Sequence, residues 1–379
     1  MNDRFQEGMA EATRLTRTGR LAEATALIRR VLGGMEETAP SPHAAPAGRL
    51  KGPGIIDADY VTVGEEQAPQ KAEPPRRRAG LGETLRDLAA RASHVAKHRP
   101  ARPAGPTEEI PPGASFAMET YADASGSRRY RLYVPAKRPE GALPLVVMLH
   151  GCTQTPEDFA AGTGMNRLAE EMGFLVAYPE QPAGANPNRC WNWFEPAHQR
   201  RGAGEPGLIA GIVGQVTRGH PVDPARVFVA GLSAGGAAAA VLGDAYPDLV
   251  RAVGVHSGLP AGAARDLPGA FAAMRQGGTG TALRVPAIVF HGDQDTTVSP
   301  RNGEALLRGA GPARTETGTA GGRTYTRAVH TDRAGRVRAE RWTVHGAGHA
   351  WSGGSRAGSY ADPSGPDASR EMMRFFLAL

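Results

Sequence analysis

Cysteine is almost absent. Two residues, Cys152 and Cys190, in a chain of 379 exclude a disulfide-rich scaffold and every four-cysteine zinc module. Lysine is nearly as scarce, occurring only at Lys51, Lys71, Lys97 and Lys137, so the 44 basic residues are overwhelmingly arginine. The densest basic run, Arg76-Arg77-Arg78, stands in a proline-rich stretch without interleaved aromatics, and the net charge of +6 is spread over a long chain. A phosphate-binding face needs a denser patch on one surface, so no nucleic-acid partner is expected. No run approaches the roughly 20 apolar residues of a membrane helix, so no transmembrane segment is expected. The opening MNDRFQEGMAEATRLTRTGR has early acids and no apolar stretch. That argues against a secretory signal and favours a cytoplasmic location. HExxH and clustered Cys/His spacings are both missing, so neither a metal nor a cofactor is expected.

What is present divides near residue 112. Hydrophobic residues make up 40% of the chain, enough for a sizeable core, and the length suits one large domain plus an extension. Within residues 1–35, apolar residues recur at helical spacing from Phe5 to Leu32, broken at Thr18-Gly19-Arg20. The spacing predicts a helical hairpin similar to a single tetratricopeptide-type repeat. One such repeat cannot bury its own apolar face. These helices are therefore candidates for self-association or for contact with a partner. Residues 36–112 read as a proline-rich linker. Within it, residues 81–98 place Leu81, Leu85, Leu88, Ala92 and Val95 on one face of a short amphipathic helix.

From 113 to 379, short apolar runs alternate with helical windows. Strands are expected at 145–149, 174–178, 227–230, 250–256 and 287–290, with helices at 166–172, 208–218 and 234–246. Continuous apolar strands separated by helices indicate a mostly parallel sheet covered on both faces. Segments 116–121 and 129–134 alternate instead, as an antiparallel edge hairpin would. The fold class is α/β, with an N-terminal helical, partly disordered extension.

Gly231-Leu232-Ser233-Ala234-Gly235 follows the strand RVFVA and opens an alanine-rich helix. That context makes it a nucleophile elbow, with Ser233 on a sharp turn between two glycines that leave room for the neighbouring backbone. A serine hydroxyl needs a base, and the base needs an orienting carboxylate. The chain order in such folds is Ser, then acid, then His. The strand PAIVF ends in His291-Gly292-Asp293-Gln294-Asp295, which offers two acids at the sheet edge. Asp295 is preferred, and Asp293 is read as capping the turn. Among the late histidines, His330 and His345 belong to strands, whereas His349 lies in the glycine-rich GAGHAW loop and is the expected base. The backbone amides of Cys152, in the loop after LPLVVML, and of Ala234 are the expected oxyanion donors. His150 is read as a structural hydrogen-bonder of that turn. Cys152 and Cys190 are placed to pair across the same edge, with free thiols as the alternative in a reducing compartment. Trp191 and Trp351 flank the site and are expected to contact substrate, and His256 is expected to line the pocket with them.

LVVMLHGCTQTPEDFA, RCWNWF, DPARVFVAGLSAGGAAAAVL, GVHSGLP, HGDQD and GAGHAWSGG together resemble the esterase/polyhydroxybutyrate depolymerase family, over about residues 115–379. The resemblance implies an α/β-hydrolase related to feruloyl and acetylxylan esterases. It implies Ser233, Asp295 and His349 as nucleophile, acid and base, Cys152 and Ala234 as oxyanion donors, and Trp191 as a substrate contact. The implied activity is ester hydrolysis through an acyl-enzyme, on short-chain poly(3-hydroxybutyrate), its oligomers, or a plant-derived ester. A non-catalytic granule- or partner-binding role is the competing reading. Secreted members resemble a signal peptide, catalytic domain, linker and polymer-binding domain in series. Here the extra mass is N-terminal, so its helices become candidates for granule contact.

Overall fold

The computed structural model describes residues 109–379. The expected hairpin of residues 1–35 and the helix of residues 81–98 lie outside the described residues, as does all but the end of the 36–112 linker. The strands are β1 (Ser115–Asp123), β2 (Gly126–Val134), β3 (Leu143–Leu149), β4 (Leu175–Pro179), β5 (Val222–Leu232), β6 (Ala252–His256), β7 (Ala287–Gly292), β8 (Ala313–Ala320), β9 (Arg323–Thr331), β10 (Val337–Val344), β11 (Trp351–Ser352) and β12 (Ala361–Asp362). The helices are α1 (Pro156–Thr163), α2 (Met165–Met172), α3 (Gly204–Gly219), α4 (Ala234–Ala245), α5 (Leu267–Gln276), α6 (Arg301–Leu306) and α7 (Ala368–Leu377).

Ten strands form one sheet in the order β1-β2-β4-β3-β5-β6-β7-β10-β9-β8. The run from β4 through β10 is parallel. Antiparallel pairs close both ends: β1 and β2 at one, β9 and β8 at the other. The hairpin at the first end was legible as alternation. The second was not, because β8 (ARTETGTA) is exposed along nearly all its length and carries no apolar face.

Every residue of β3, β4, β6 and β7 is buried. Alternate side chains explain the continuous apolar runs. Leu145, Val147 and Leu149 point into one core layer with Ile209, Ile212 and Leu242, while Val146 and Met148 point into the other with Phe159, Leu168 and Phe376. A strand buried on both faces cannot alternate with polar residues. Helix α4 (AGGAAAAVLGDA) buries ten residues, eight of them alanine or glycine, so its axis lies close to the central strands. Helices α1, α5 and α7 start where their sequences say they should. Thr155, Asp266 and Asp367 each accept an amide of the first turn, which satisfies one of the donors a helix start leaves open.

The antiparallel end is fastened by one buried carboxylate. Glu340 of β10 accepts Arg327 Nε and Nη2 at 3.0 and 2.7 Å, Arg374 Nη2 at 2.6 Å, and the Trp342 indole at 3.0 Å. Burial alone would raise its pKa, but those donors together hold it below the ordinary carboxylate range. Removing the acid strands two guanidinium groups and an indole donor. Glu340→Ala should therefore lower unfolding stability by about 3 kcal/mol. Urea titration checks this, and a loss well under about 1 kcal/mol would show that the arginines find water instead.

Candidate active site

Strand β5 ends at Leu232, and α4 begins at Ala234. Between them Ser233 stands at φ 58°, ψ −120°, a backbone region that side-chain-bearing residues seldom occupy. The surroundings hold it there. A Cβ at Gly231 would come within 2.4 Å of the Gly235 backbone, and one at Gly235 within 2.0 Å of the Leu149 carbonyl oxygen. The two glycines are a steric requirement of the crossing. The Ser233 amide donates to His256 O of β6 at 2.9 Å, so the turn is also pinned sideways. Ala234 is the first residue of α4, where an amide has no intrahelical acceptor and the positive end of the helix dipole lies.

Asp295 follows β7 by three residues. Its Oδ1 accepts the amides of Thr297 and Val298 at 2.9 Å each, and its Oδ2 accepts His349 Nδ1–H at 2.7 Å. The side chain is fully buried. Burial pushes its pKa up, yet the bonds from His291, His349 and the Val298 amide outweigh that, and the carboxyl lies far below its usual range. An ionised Asp295 fixes the proton of His349 on Nδ1 and leaves Nε2 as the basic nitrogen. Asp293 is occupied elsewhere: it accepts His345 Nδ1 at 2.9 Å and the Gly346 amide at 2.7 Å. The two acids thus partner two different histidines, and only the Asp295 pair reaches the cavity.

That cavity, about 860 Å³, is lined by Ser233, His349, Cys152 and Ala234 together. The Ser233 hydroxyl is hydrogen-bonded to neither His349 nor any other described residue. Catalytic hydrogen bonds often tighten only in the substrate complex. Cys152 is bonded to Cys190 in a disulfide, which ties the loop after β3 to the loop before Trp191.

Three residues expected at the substrate lie beneath it instead. Trp191, His256 and Trp351 are 0, 1 and 1% exposed and line no part of the cavity. Trp191 donates its indole N–H to His150 O at 3.0 Å. Trp351 donates to Ser369 Oγ at 3.0 Å and stacks on His256, 5.1 Å between ring centres. His256 Nε2 accepts the Ser352 amide at 3.0 Å. A side chain with no accessible surface cannot touch a ligand. The aromatics that do line the cavity are Trp193, Phe194, Phe271 and Tyr360. Sequence reasoning missed α5, whose Leu267, Phe271 and Met274 stand on one face and line the cavity. The signal was present as an apolar i, i+4, i+7 spacing after an Asp-Leu-Pro helix start.

The family described as Esterase PHB depolymerase matches residues 128–311. Poly(3-hydroxyalkanoate) depolymerase C of Paucimonas lemoignei is 34% identical over 254 residues, covering 61% of this chain and 60% of that protein. Poly(3-hydroxybutyrate) depolymerase of Ralstonia pickettii is 31% identical over 279 residues, covering 64% and 56%. The chain thus spans about 60% of the length of these two relatives. A probable acetylxylan esterase A of Aspergillus flavus is 30% identical over 222 residues, covering 52% of this chain and 71% of that protein. Among solved structures, an acetyl xylan esterase from Aspergillus awamori superimposes with a TM-score of 0.55 at 22% identity, over 69% of this chain and 100% of that one. That likeness is one of fold.

Two buried histidines beneath the cavity give the site a pH signature. Burial pushes His150 down to about 4 and His256 down to about 3, against 6.5 for a free imidazole. Below 6.5 the unfolded chain binds protons that the folded chain refuses. Their contribution is therefore complete above about pH 6.5 and is lost as pH falls toward 4 and then 3. Asp295 adds a loss of the same sign below about pH 4. The unfolding temperature should drop by roughly 5–10 °C between pH 7 and 4. Calorimetry across that range tests the point, and a flat profile would contradict buried neutral imidazoles.

Proposed function

The chain belongs to the esterase/polyhydroxybutyrate depolymerase family of α/β-hydrolases, and on that footing we propose that it is a serine esterase acting through an acyl-enzyme on short-chain poly(3-hydroxybutyrate) or its oligomers. The observation that carries the chemistry is the 2.7 Å Asp295–His349 pair opening on the cavity that also holds Ser233. His349 Nε2 takes the Ser233 proton as the oxygen attacks an ester carbonyl. Asp295 keeps the imidazole in the required tautomer and stabilises its cation. The amides of Cys152 and Ala234 receive the oxyanion. His349 then protonates the departing alcohol, and water repeats the sequence to release the acid. Residues 113–379 are the catalytic domain in this reading. Residues 1–112 serve self-association or contact with a polymer granule.

The substrate class rests on the cavity rim. Leu267, Phe271 and Tyr360 are 51, 41 and 45% exposed, and all three line the cavity. Exposed apolar groups gathered around one opening mark a binding surface. A hydroxybutyrate polyester is uncharged and carries no hydroxyl along its length, so apolar walls suit it. The second reading is an acetylxylan- or feruloyl-type esterase. Asn188 favours it, since this exposed cavity-lining residue offers a side-chain amide to a sugar hydroxyl.

The parent chain should clear a suspension of amorphous poly(3-hydroxybutyrate), and Ser233→Ala should lower turnover by roughly 10⁴–10⁶-fold without unfolding. Turnover retained by Ser233→Ala would overturn the chemistry. Hydrolysis of p-nitrophenyl acetate without clearing of the polymer would keep the chemistry and pass the substrate to the second reading.

A further inference from the structure

Three successive peptide units run along the loop after β3, and all but one of their amides is taken. In the unit joining His150 to Gly151, the carbonyl accepts the Trp191 indole N–H at 3.0 Å, and the Gly151 amide donates to Gln154 Oε1 at 2.8 Å. In the unit joining Gly151 to Cys152, the carbonyl lies 2.8 Å from His150 Nδ1 and accepts the Gln154 amide at 3.3 Å. In the unit joining Cys152 to Thr153, the Thr153 amide donates to Asn188 O at 2.7 Å. Of the three amides, that of Cys152 alone meets no acceptor among the described residues, and Cys152 lines the cavity beside Ser233.

We propose that His150 is the positioning residue of the oxyanion hole: by holding the Gly151 carbonyl, it sets the direction of the Cys152 N–H. The inference rests on the esterase reading above and deepens it. A trans peptide is planar, and its C=O and N–H point in opposite directions. Fixing the Gly151 oxygen therefore fixes the Cys152 hydrogen. The tautomer is determined by the other ring nitrogen, because His150 Nε2 accepts the Gln181 amide at 3.1 Å, which leaves the proton on Nδ1 as a donor to Gly151 O. The ring is 0% exposed, so water does not compete for that bond. The frame continues outward: Gln181 Nε2 donates to Glu205 Oε1 at 2.6 Å, and Glu205 also accepts the Asn192 amide at 2.9 Å. An oxyanion donor acts only where the developing charge appears, so misdirecting one resembles removing it, at about 10²–10³ in rate.

The test compares His150→Asn with His150→Leu in the full chain, on p-nitrophenyl acetate. Both variants lose the acceptor for the Gln181 amide. Only asparagine keeps a short N–H donor toward Gly151 O. His150→Leu should lose about 10²-fold in kcat, with KM within about 3-fold of the parent. His150→Asn should recover at least about 10-fold of that loss. Affinity for a trifluoromethyl ketone, which forms an oxyanion on the serine, should fall in parallel with kcat. Equal kcat in the two variants, a loss confined to KM, or unchanged ketone affinity overturns the proposal. If neither variant folds, His150→Gln decides. Its longer amide can still meet the Gln181 amide but brings no N–H to the Nδ1 position facing Gly151 O, so kcat should fall about 10-fold or more at constant KM. An unchanged kcat there also overturns the proposal. Ser233→Ala run alongside separates the failures: if it retains turnover, the esterase reading falls and takes this proposal with it.

Discussion

The site depends on how closely the first turn of α4 crosses the end of β3. Gly235 lies so near the Leu149 carbonyl that no side chain fits between them. That approach forces Ser233 into its positive-φ turn, at roughly 1–3 kcal/mol of local strain. It also leaves the Ala234 amide at a helix start beside the loop that carries Cys152. The strain is offset by the packing it permits, because α4 lays ten buried residues, eight of them alanine or glycine, against the central strands. Ser233, the start of α4 and the loop that carries Cys152 thus share one backbone contact, and a methyl group at Gly235 would separate all three.

Two acids and two histidines stand within a few residues of one another, and depth sorts their work. Asp293 and His345 have side chains 34 and 39% exposed, where an ion pair contributes about 1 kcal/mol or less. Their use is geometric. Asp293 fastens His345 and the Gly346 amide, Gln294 donates its amide to Ala347 O at 3.0 Å, and these bonds hold the loop that bears His349. Asp295 is fully buried with its partner 13% exposed, so its charge acts on His349 with little screening from water. The outer pair positions the loop, and the inner pair orients the ring.

Much of this was legible in the sequence because it is written in local chemistry. The apolar runs of β3, β4, β6 and β7 announce strands covered on both faces, and the glycines around Ser233 announce the turn. The order Ser233, Asp295, His349 follows from the topology of such sheets. Depth was not legible. Trp191 and Trp351 stand next to functional loops in the chain, yet proximity along a chain does not say which side of a loop a ring occupies. Each indole N–H meets a buried acceptor, His150 O or Ser369 Oγ, and that bond draws the ring inward. Strand β8 was missed for a different reason: it is exposed and carries no apolar face. Helices α1, α5 and α6 are short, and the caps of α1 and α5 and the apolar spacing of α5 were local signals left unread.

The histidines carry the same lesson to the floor of the site. His150 follows β3, His256 ends β6 and His291 is the last residue but one of β7, and all three are buried. At those ends the sheet's ladder runs out and backbone groups need other partners. His150 answers Gly151 O and the Gln181 amide, His256 the Ser352 amide, and His291 Val298 O at 2.8 Å. His150 uses both nitrogens of its rigid ring, one as donor and one as acceptor. Each therefore ties a strand end to a loop, and three strand ends fastened this way make a firm floor under Ser233. Among the described histidines only His349 lines the cavity. His349 is thereby the one described imidazole open to the cavity, and the buried rings keep the donors and acceptors around it in place.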